Sequence, residues 1–284
     1  MSSAWLIAAL LLLLAVAVFS VRWVAALEEQ SLLGRIGAPL LFGAWVLVFW
    51  EVITQSFDVP RVILPAPSLI GAALVKGASV LTDDLVQTVL KSALFGLLIG
   101  CGLGFVMGVL IDRSPFLQRG LLPLAALASS VPLVGIAPIM VMWFGFDWQS
   151  KAAVVVLMTF FPMLVNTLAG LKEAGHMERD LMRSYGAGYW RTLFSLRLPV
   201  ALPFVFNALK INSTLALIGA IVAEFFGSPT VGLGFRISTE AARMNMGLVW
   251  AAIFVAALAG SLLYGVLGWM ERRVTFWHPS IRRG

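Results

Sequence analysis

The chain has 284 residues, 60% of them hydrophobic and only 12% charged. Soluble domains run at roughly 45–50% apolar and about 25% charged, so an ordinary water-soluble domain is excluded. The net charge of +6 comes from basic residues gathered in short segments between long apolar runs, a pattern that membrane topology explains without nucleic acid. The single cysteine, Cys101, excludes a disulfide or a cysteine-based metal site within one chain.

Seven runs are long enough to cross a bilayer as helices, which takes about 20 residues each: Trp5–Val21, Ile36–Ile53, Ser92–Ile111, Leu121–Phe144, Ala152–Leu171, Ala201–Phe226 and Leu248–Met270. The composition predicts an all-α, polytopic membrane helical bundle. No basic region precedes the first run and its first arginine, Arg22, follows it, which predicts a retained helix in place of a cleaved secretory signal. With the N-terminus outside, the inner segments 22–35, 112–120, 172–199 and 271–284 hold thirteen of the twenty lysines and arginines. The outer segments hold four: Arg61, Lys76, Arg236 and Arg243. This asymmetry predicts N-out, C-in.

In the outer segment 57–91, the prolines of Leu64-Pro65-Ala66-Pro67-Ser68 set an extended lead, Ser68 is the predicted N-cap of a helix over 69–75, and Thr82-Asp83-Asp84 the predicted start of another. The third span carries Gly96, Gly100, Gly102, Gly104 and Gly108, small residues that let helices approach closely in lipid; Cys101 among them reads as a packing residue. Asp112-Arg113-Ser114-Pro115 makes an inner turn. Pro123, Pro132 and Pro138 predict a fourth span bent or broken around 131–138. Met142 and Trp143, which follow, are candidates for a solute path or for packing.

The longest polar break of the second half runs from Lys172 to Pro203. Met177, Leu181 and Tyr185 recur at helical spacing, with Glu178, Arg179, Asp180 and Arg183 on the remaining surface. Gly186 and Gly188 interrupt that helix, a second apolar set follows at Trp190, Leu193 and Phe194, and Leu198-Pro199 closes the unit, proline stopping one helix before the next. The prediction is a compact helix–glycine–helix knob. In the sixth span Asn212 is a further path candidate and Lys210 is placed to snorkel inward. Glu224 reads either as a functional carboxylate or as an interfacial one paired with Arg236 or Arg243. Gly227–Gly234 reads as an outer turn, the tail from Glu271 as an inner anchor, and His176 and His278 as surface residues.

The knob resembles the coupling loop of permease subunits of bacterial ATP-binding-cassette (ABC) importers. That family's pattern is Glu-Ala-Ala, three residues, Gly, nine residues, Ile-x-Leu-Pro; here Asp180-Leu181-Met182, Gly186 and Leu196-Arg197-Leu198-Pro199 fall at the same spacing. The Leu-Pro-x-Pro-Ser stretch after Trp50-Glu51 resembles the branch that handles nitrate, sulfonates, taurine and pyrimidine-type thiamine precursors. The resemblance covers about residues 40–280. It implies a permease domain over 36–284, with 1–35 as an added helix and linker. It further implies a second permease copy (a homodimer), two cytoplasmic ATPase subunits that hold ATP and magnesium, an external solute-binding protein, and a place in the bacterial inner membrane. Met177, Asp180, Leu181, Tyr185, Gly186, Leu198 and Pro199 are the residues it implies for ATPase coupling. The chain has no phosphate-loop sequence and no visible catalytic set, so it is expected to be a non-hydrolytic subunit without a cofactor or metal of its own. The competing reading, an ion-coupled secondary transporter, calls for inverted repeats and several mid-span carboxylates.

Overall fold

The protein's structure, a computed structural model, describes residues 3–26, 32–114, 116–120, 123, 131–227 and 230–277. His278, Arg282 and Arg283 of the tail, Pro115, and most of the first half of the predicted fourth span lie outside the described residues. Every regular element among those described is helical: α1 (Ser3–Ala26), α2 (Leu32–Ser56), α3 (Pro67–Lys76), α4 (Ala78–Leu85), α5 (Phe95–Asp112), α6 (Leu133–Phe144), α7 (Trp148–Glu173), α8 (His176–Ser184), α9 (Tyr189–Thr192), α10 (Leu198–Phe226), α11 (Leu233–Ala242) and α12 (Met246–Val274). Wide π-helical turns at Val86–Leu94 and Leu193–Arg197 join α4 to α5 and α9 to α10. Among the described residues, five helical stretches are long and apolar enough to cross a membrane: Gly37–Ser56, Ala78–Asp112, Trp148–Glu173, Tyr189–Phe226 and Met246–Val274; the predicted first and fourth spans appear there only as shorter apolar helices, Leu10–Ala26 and Gly135–Phe144.

The chain divides into two compact units, residues 1–77 with 240–251, and 78–239 with 252–284. In the first, α1 packs on α2, and Trp45 Nε1 donates to Ser20 Oγ at 2.9 Å. Ser68 is not the N-cap of α3. Pro67 is already in the first turn and Ala66 stands at the cap. The first free amide of the helix is met from α2: the Glu51 carboxylate accepts from the Ser68 N–H (2.9 Å) and also from the Ser68 hydroxyl (2.6 Å). A negative charge at a helix N-terminus is favourable on its own account. Trp50 and Trp250 meet edge to face at 5.1 Å.

In the second unit, α5, α7 and α10 form the core. Gly96, Gly100, Gly104 and Gly108 fall four apart on the face that α5 turns to α7. A Cβ at Gly100 would sit 2.1 Å from Thr159 Oγ1 and one at Gly104 would sit 2.4 Å from the Phe160 carbonyl. Gly102, on the other face, meets nothing within 4 Å. Gly100→Ala is therefore expected to destabilise by about 1–3 kcal/mol, as overpacked cores do, and Gly102→Ala to be neutral; thermal unfolding of the purified variants checks the contrast.

Two span boundaries differ from those predicted. The third span starts at Ala78, fourteen residues before Ser92, because the polar residues Asp84, Gln87, Thr88 and Ser92 are buried against partners and not solvated. Pro199 does not stop a helix: the path is helical from Tyr189 to Phe226, with the π-helical turn ending just before Leu198-Pro199. Such local widening lets a span tolerate the N–H that proline lacks. The predicted break at Pro132 is present: that residue is extended (φ −67°, ψ 124°) and α6 begins after it, while Pro138 lies inside α6.

Candidate functional site

One end of the second unit carries the knob. α8 starts after Gly175, with Glu178 in its first turn and Arg183 in its last, each the charge that the helix dipole favours there. It ends as predicted at Gly186, whose φ of +65° is costly for residues with a Cβ. The Gly186 N–H reaches Arg183 O at 2.9 Å and the Ala187 N–H reaches Met182 O at 3.0 Å, the paired bonds of a Schellman cap. The stripe Met177, Leu181 and Tyr185 points outward, with exposures of 84, 55 and 77%. Asp180 pairs with Arg183 at 3.2 Å, both exposed, so this pair contributes little by itself. Beyond the turn, Trp190 and Phe194 stack at 6.2 Å on the surface while Leu193 is buried. Leu198 packs inward with Leu171, Leu193 and Ala201 at the root of α10, so Leu198 and Pro199 belong to the base of the knob and not to its exposed stripe.

That base is closed by polar contacts that sequence reading missed. Arg197 donates to both oxygens of Asp112, from Nη1 at 2.7 Å and Nη2 at 2.8 Å, and from Nε to the Leu171 carbonyl at 3.0 Å. The Tyr189 hydroxyl donates to Asp112 Oδ2 at 3.1 Å. The Asp112 side chain is 3% exposed and that of Arg197 12%. Arg113 lies over the Tyr189 and Trp190 rings at 5.8 and 5.9 Å. The partners of this cluster are up to 85 residues apart in sequence, which is why inspection of any one segment does not reveal it.

At the opposite end, Glu224 pairs with neither Arg236 nor Arg243. Arg236 Nε binds Asp84 Oδ2 at 2.8 Å, and Arg243 binds Glu240 within the first unit. Instead, three successive amides at the start of α11 are taken up by buried side chains: Gly232 N–H by Asp84 (2.8 Å), Leu233 N–H by the Thr88 hydroxyl (2.8 Å) and Gly234 N–H by Glu224 (2.7 Å). The Thr88 hydroxyl in turn donates to Glu224 at 2.8 Å. A helix N-terminus facing two carboxylates, with one guanidinium alongside, balances charge away from water. Gly234 has to be glycine, since a Cβ there would lie 2.2 Å from the Ile221 carbonyl. The Gly-x-Gly read as part of a turn thus opens a helix that sequence reading did not place.

The path candidates divide. Met142 and Trp143, at the end of α6, are 83 and 71% exposed. Asn212 is fully buried among α5, α7 and α10, its amide donating to the Thr159 carbonyl (2.9 Å) and Cys101 Sγ (3.1 Å). Lys210 is held by Glu271 at 2.6 Å, an ion pair between α10 and α12.

Comparison with known proteins matches residues 100–276 to the family described as binding-protein-dependent transport system inner membrane component. A probable ABC transporter permease protein of Haemophilus influenzae is 31% identical over 239 residues, 84% of this chain and 97% of the relative. The formylaminopyrimidine transport permease protein ThiX of Halalkalibacterium halodurans is 32% identical over 85% of this chain and 96% of its own length. The riboflavin transport system permease protein RibX of Chloroflexus aurantiacus is 30% identical, covering 83% and 88%. The chain belongs to the binding-protein-dependent transport system inner membrane component family, as a permease subunit of an ABC importer.

Proposed function

We propose that the chain forms half of the pathway through which a small organic solute enters the cell, and that α8 is the lever by which a separate cytoplasmic ATPase drives it. The observation that carries this reading is the exposed apolar stripe of α8, fixed in direction by the cap at Gly186 and standing where the family resemblance puts the coupling loop. Exposed apolar residues on a short, charged helix are an open contact surface. In this reading Met177, Leu181 and Tyr185 enter a groove of the ATPase, Asp180 exchanges Arg183 for a donor there, and Leu198 and Pro199 seat the knob. ATP and magnesium are bound by that partner.

The arrangement proposed is seven spans with the N-terminus outside, in the inner membrane, two copies of the permease, two ATPase subunits and an external binding protein. Met142 and Trp143 stand at the path; Asn212 and Glu224 fix the helices around it. The solute classes favoured in this reading are those in relatives' names: a heteroaromatic molecule such as formylaminopyrimidine or riboflavin, or an aliphatic sulfonate. Residues 1–35 are an appended helix and linker, and 36–284 the permease domain.

Purification from native membranes tests the assignment. An ATPase subunit is expected to co-elute with the full chain and also with a chain lacking residues 1–30. Elution of the full chain with no ATPase contradicts the reading, and loss of the ATPase from the inserted, truncated chain alone makes α1 part of the core.

A further inference from the structure

The geometry points to Asp112, Tyr189 and Arg197 as a bolt that makes the knob and the membrane core move as one body; this rests on the reading that α8 docks on an ATPase. The chain leaves the core at Leu171 and re-enters it at Arg197. Anything that pushes α8 acts through two narrow links, at 174–175 and 185–188. If the base between them were open, a push would be spent bending the roots of the knob. It is not open. The Arg197 side chain spans it, with one nitrogen on the last turn of α7 and two on the end of α5, while its own backbone leads into α10. A forked guanidinium–carboxylate contact resists rotation as well as separation. Tyr189 adds a third donor to Asp112 from the near side of the knob.

Beneath these contacts, Leu171, Leu193 and Ala201 form a buried apolar floor, with Val109, Tyr189 and Leu198 packed on it. The three helices joined at this point also pack closely through glycine: α5 on α7 at Gly100 and Gly104, and α7 on α10 beside the floor at Gly170, where a Cβ would lie 3.0 Å from Ala201 Cα. A displacement delivered to the bolt therefore enters α5, α7 and α10 together. These helices, with the π-helical turn continuous with α5, carry Thr88 and Glu224, two of the groups that hold the start of α11 at the far end. Arg197 occupies the unspecified position of the Ile-x-Leu-Pro pattern, so the assignment adds a positioning residue to those the resemblance supplies.

Hydrogen–deuterium exchange on the permease assembled with its own ATPase, before and after trapping with Mg-ATP and vanadate, tests the bolt without knowledge of the solute. In the unaltered protein, α8 is protected by the ATPase and exchange over 231–236 changes on trapping. In Asp112→Asn, α8 protection and ATP hydrolysis stay within about twofold, but the response at 231–236 is lost. Asp112→Glu restores it, and Tyr189→Phe, which deletes one hydroxyl and spares folding if Asp112→Asn does not accumulate, reduces it. A full response at 231–236 in Tyr189→Phe, or in an accumulated Asp112→Asn, overturns the bolt. So does an unaltered chain that shows α8 protection and no far-end response. Absence of α8 protection in the unaltered chain overturns the docking reading instead, and the bolt with it.

Discussion

Asp84→Ala is expected to destabilise the permease by about 3–5 kcal/mol, the usual cost of removing one partner from a buried ion pair. The alanine leaves the Arg236 guanidinium without its carboxylate and the Gly232 N–H without an acceptor, both in a site where Asp84 itself has no exposed surface. On the usual scaling the thermal midpoint falls by roughly 6–20 °C. Arg183→Ala, which breaks the exposed pair with Asp180, is expected to cost less than about 1 kcal/mol. Thermal unfolding of the two purified variants in one detergent makes the comparison. Equal, small shifts would mean that the Asp84 cluster is solvated and does not hold the start of α11.

Gly186→Val and Asp180→Lys are expected to leave insertion and folding intact and to weaken ATPase binding at least about tenfold, equivalent to ~1.4 kcal/mol. At φ +65° a side chain with a Cβ costs roughly 1–2 kcal/mol, more for a branched one. That strain is relieved by opening the cap, which redirects α8 although every contact residue is retained. Asp180→Lys acts through charge: it sets a lysine three residues before Arg183, where like charges repel, and removes an acceptor whose shielded hydrogen bond contributes about 1.5–3 kcal/mol. Titration of purified ATPase onto each variant in nanodiscs gives the affinities. Unchanged affinity in both, at equal monodispersity, would reduce the knob to a solvated connector.

Much of this architecture is legible in the sequence where the signal is local. Five of the seven apolar runs mark span-length helices among the described residues, four-residue glycine spacing marks the face that α5 turns to α7, Pro132 marks the break before α6, and a helical stripe ending in glycine marks α8 and its left-handed cap. What stays hidden depends on partners distant in the chain. Asp84, Gln87, Thr88 and Ser92 lower the hydropathy of 78–94, so the third span is read as starting too late. Asp84 and Thr88 are tolerated there because Arg236, Glu224 and the amides of 232 and 233 satisfy them from about 136–152 residues away. The cap of α3 comes from Glu51, seventeen residues earlier, and no spacing rule for a local cap can find it. Arg197 reads as one more inner-loop cation until Asp112 is placed beside it. Pro199 carries a strong stop signal that a π-helical turn overrides. In each case a polar or helix-breaking residue is misread as solvated or terminal because its compensation lies elsewhere in the fold.

In the proposed arrangement α8 faces the cytoplasm and is covered by an ATPase. Ser184, exposed at the end of α8, reports on both points when replaced by cysteine, since the natural Cys101 is buried. Modification of Ser184→Cys by a membrane-impermeant maleimide is predicted to be absent in intact cells, complete in opened membranes stripped of ATPase, and slowed by at least about tenfold when the ATPase is restored. Labelling from outside intact cells, or an unchanged rate with the ATPase bound, would rule out a cytoplasmic, ATPase-covered α8.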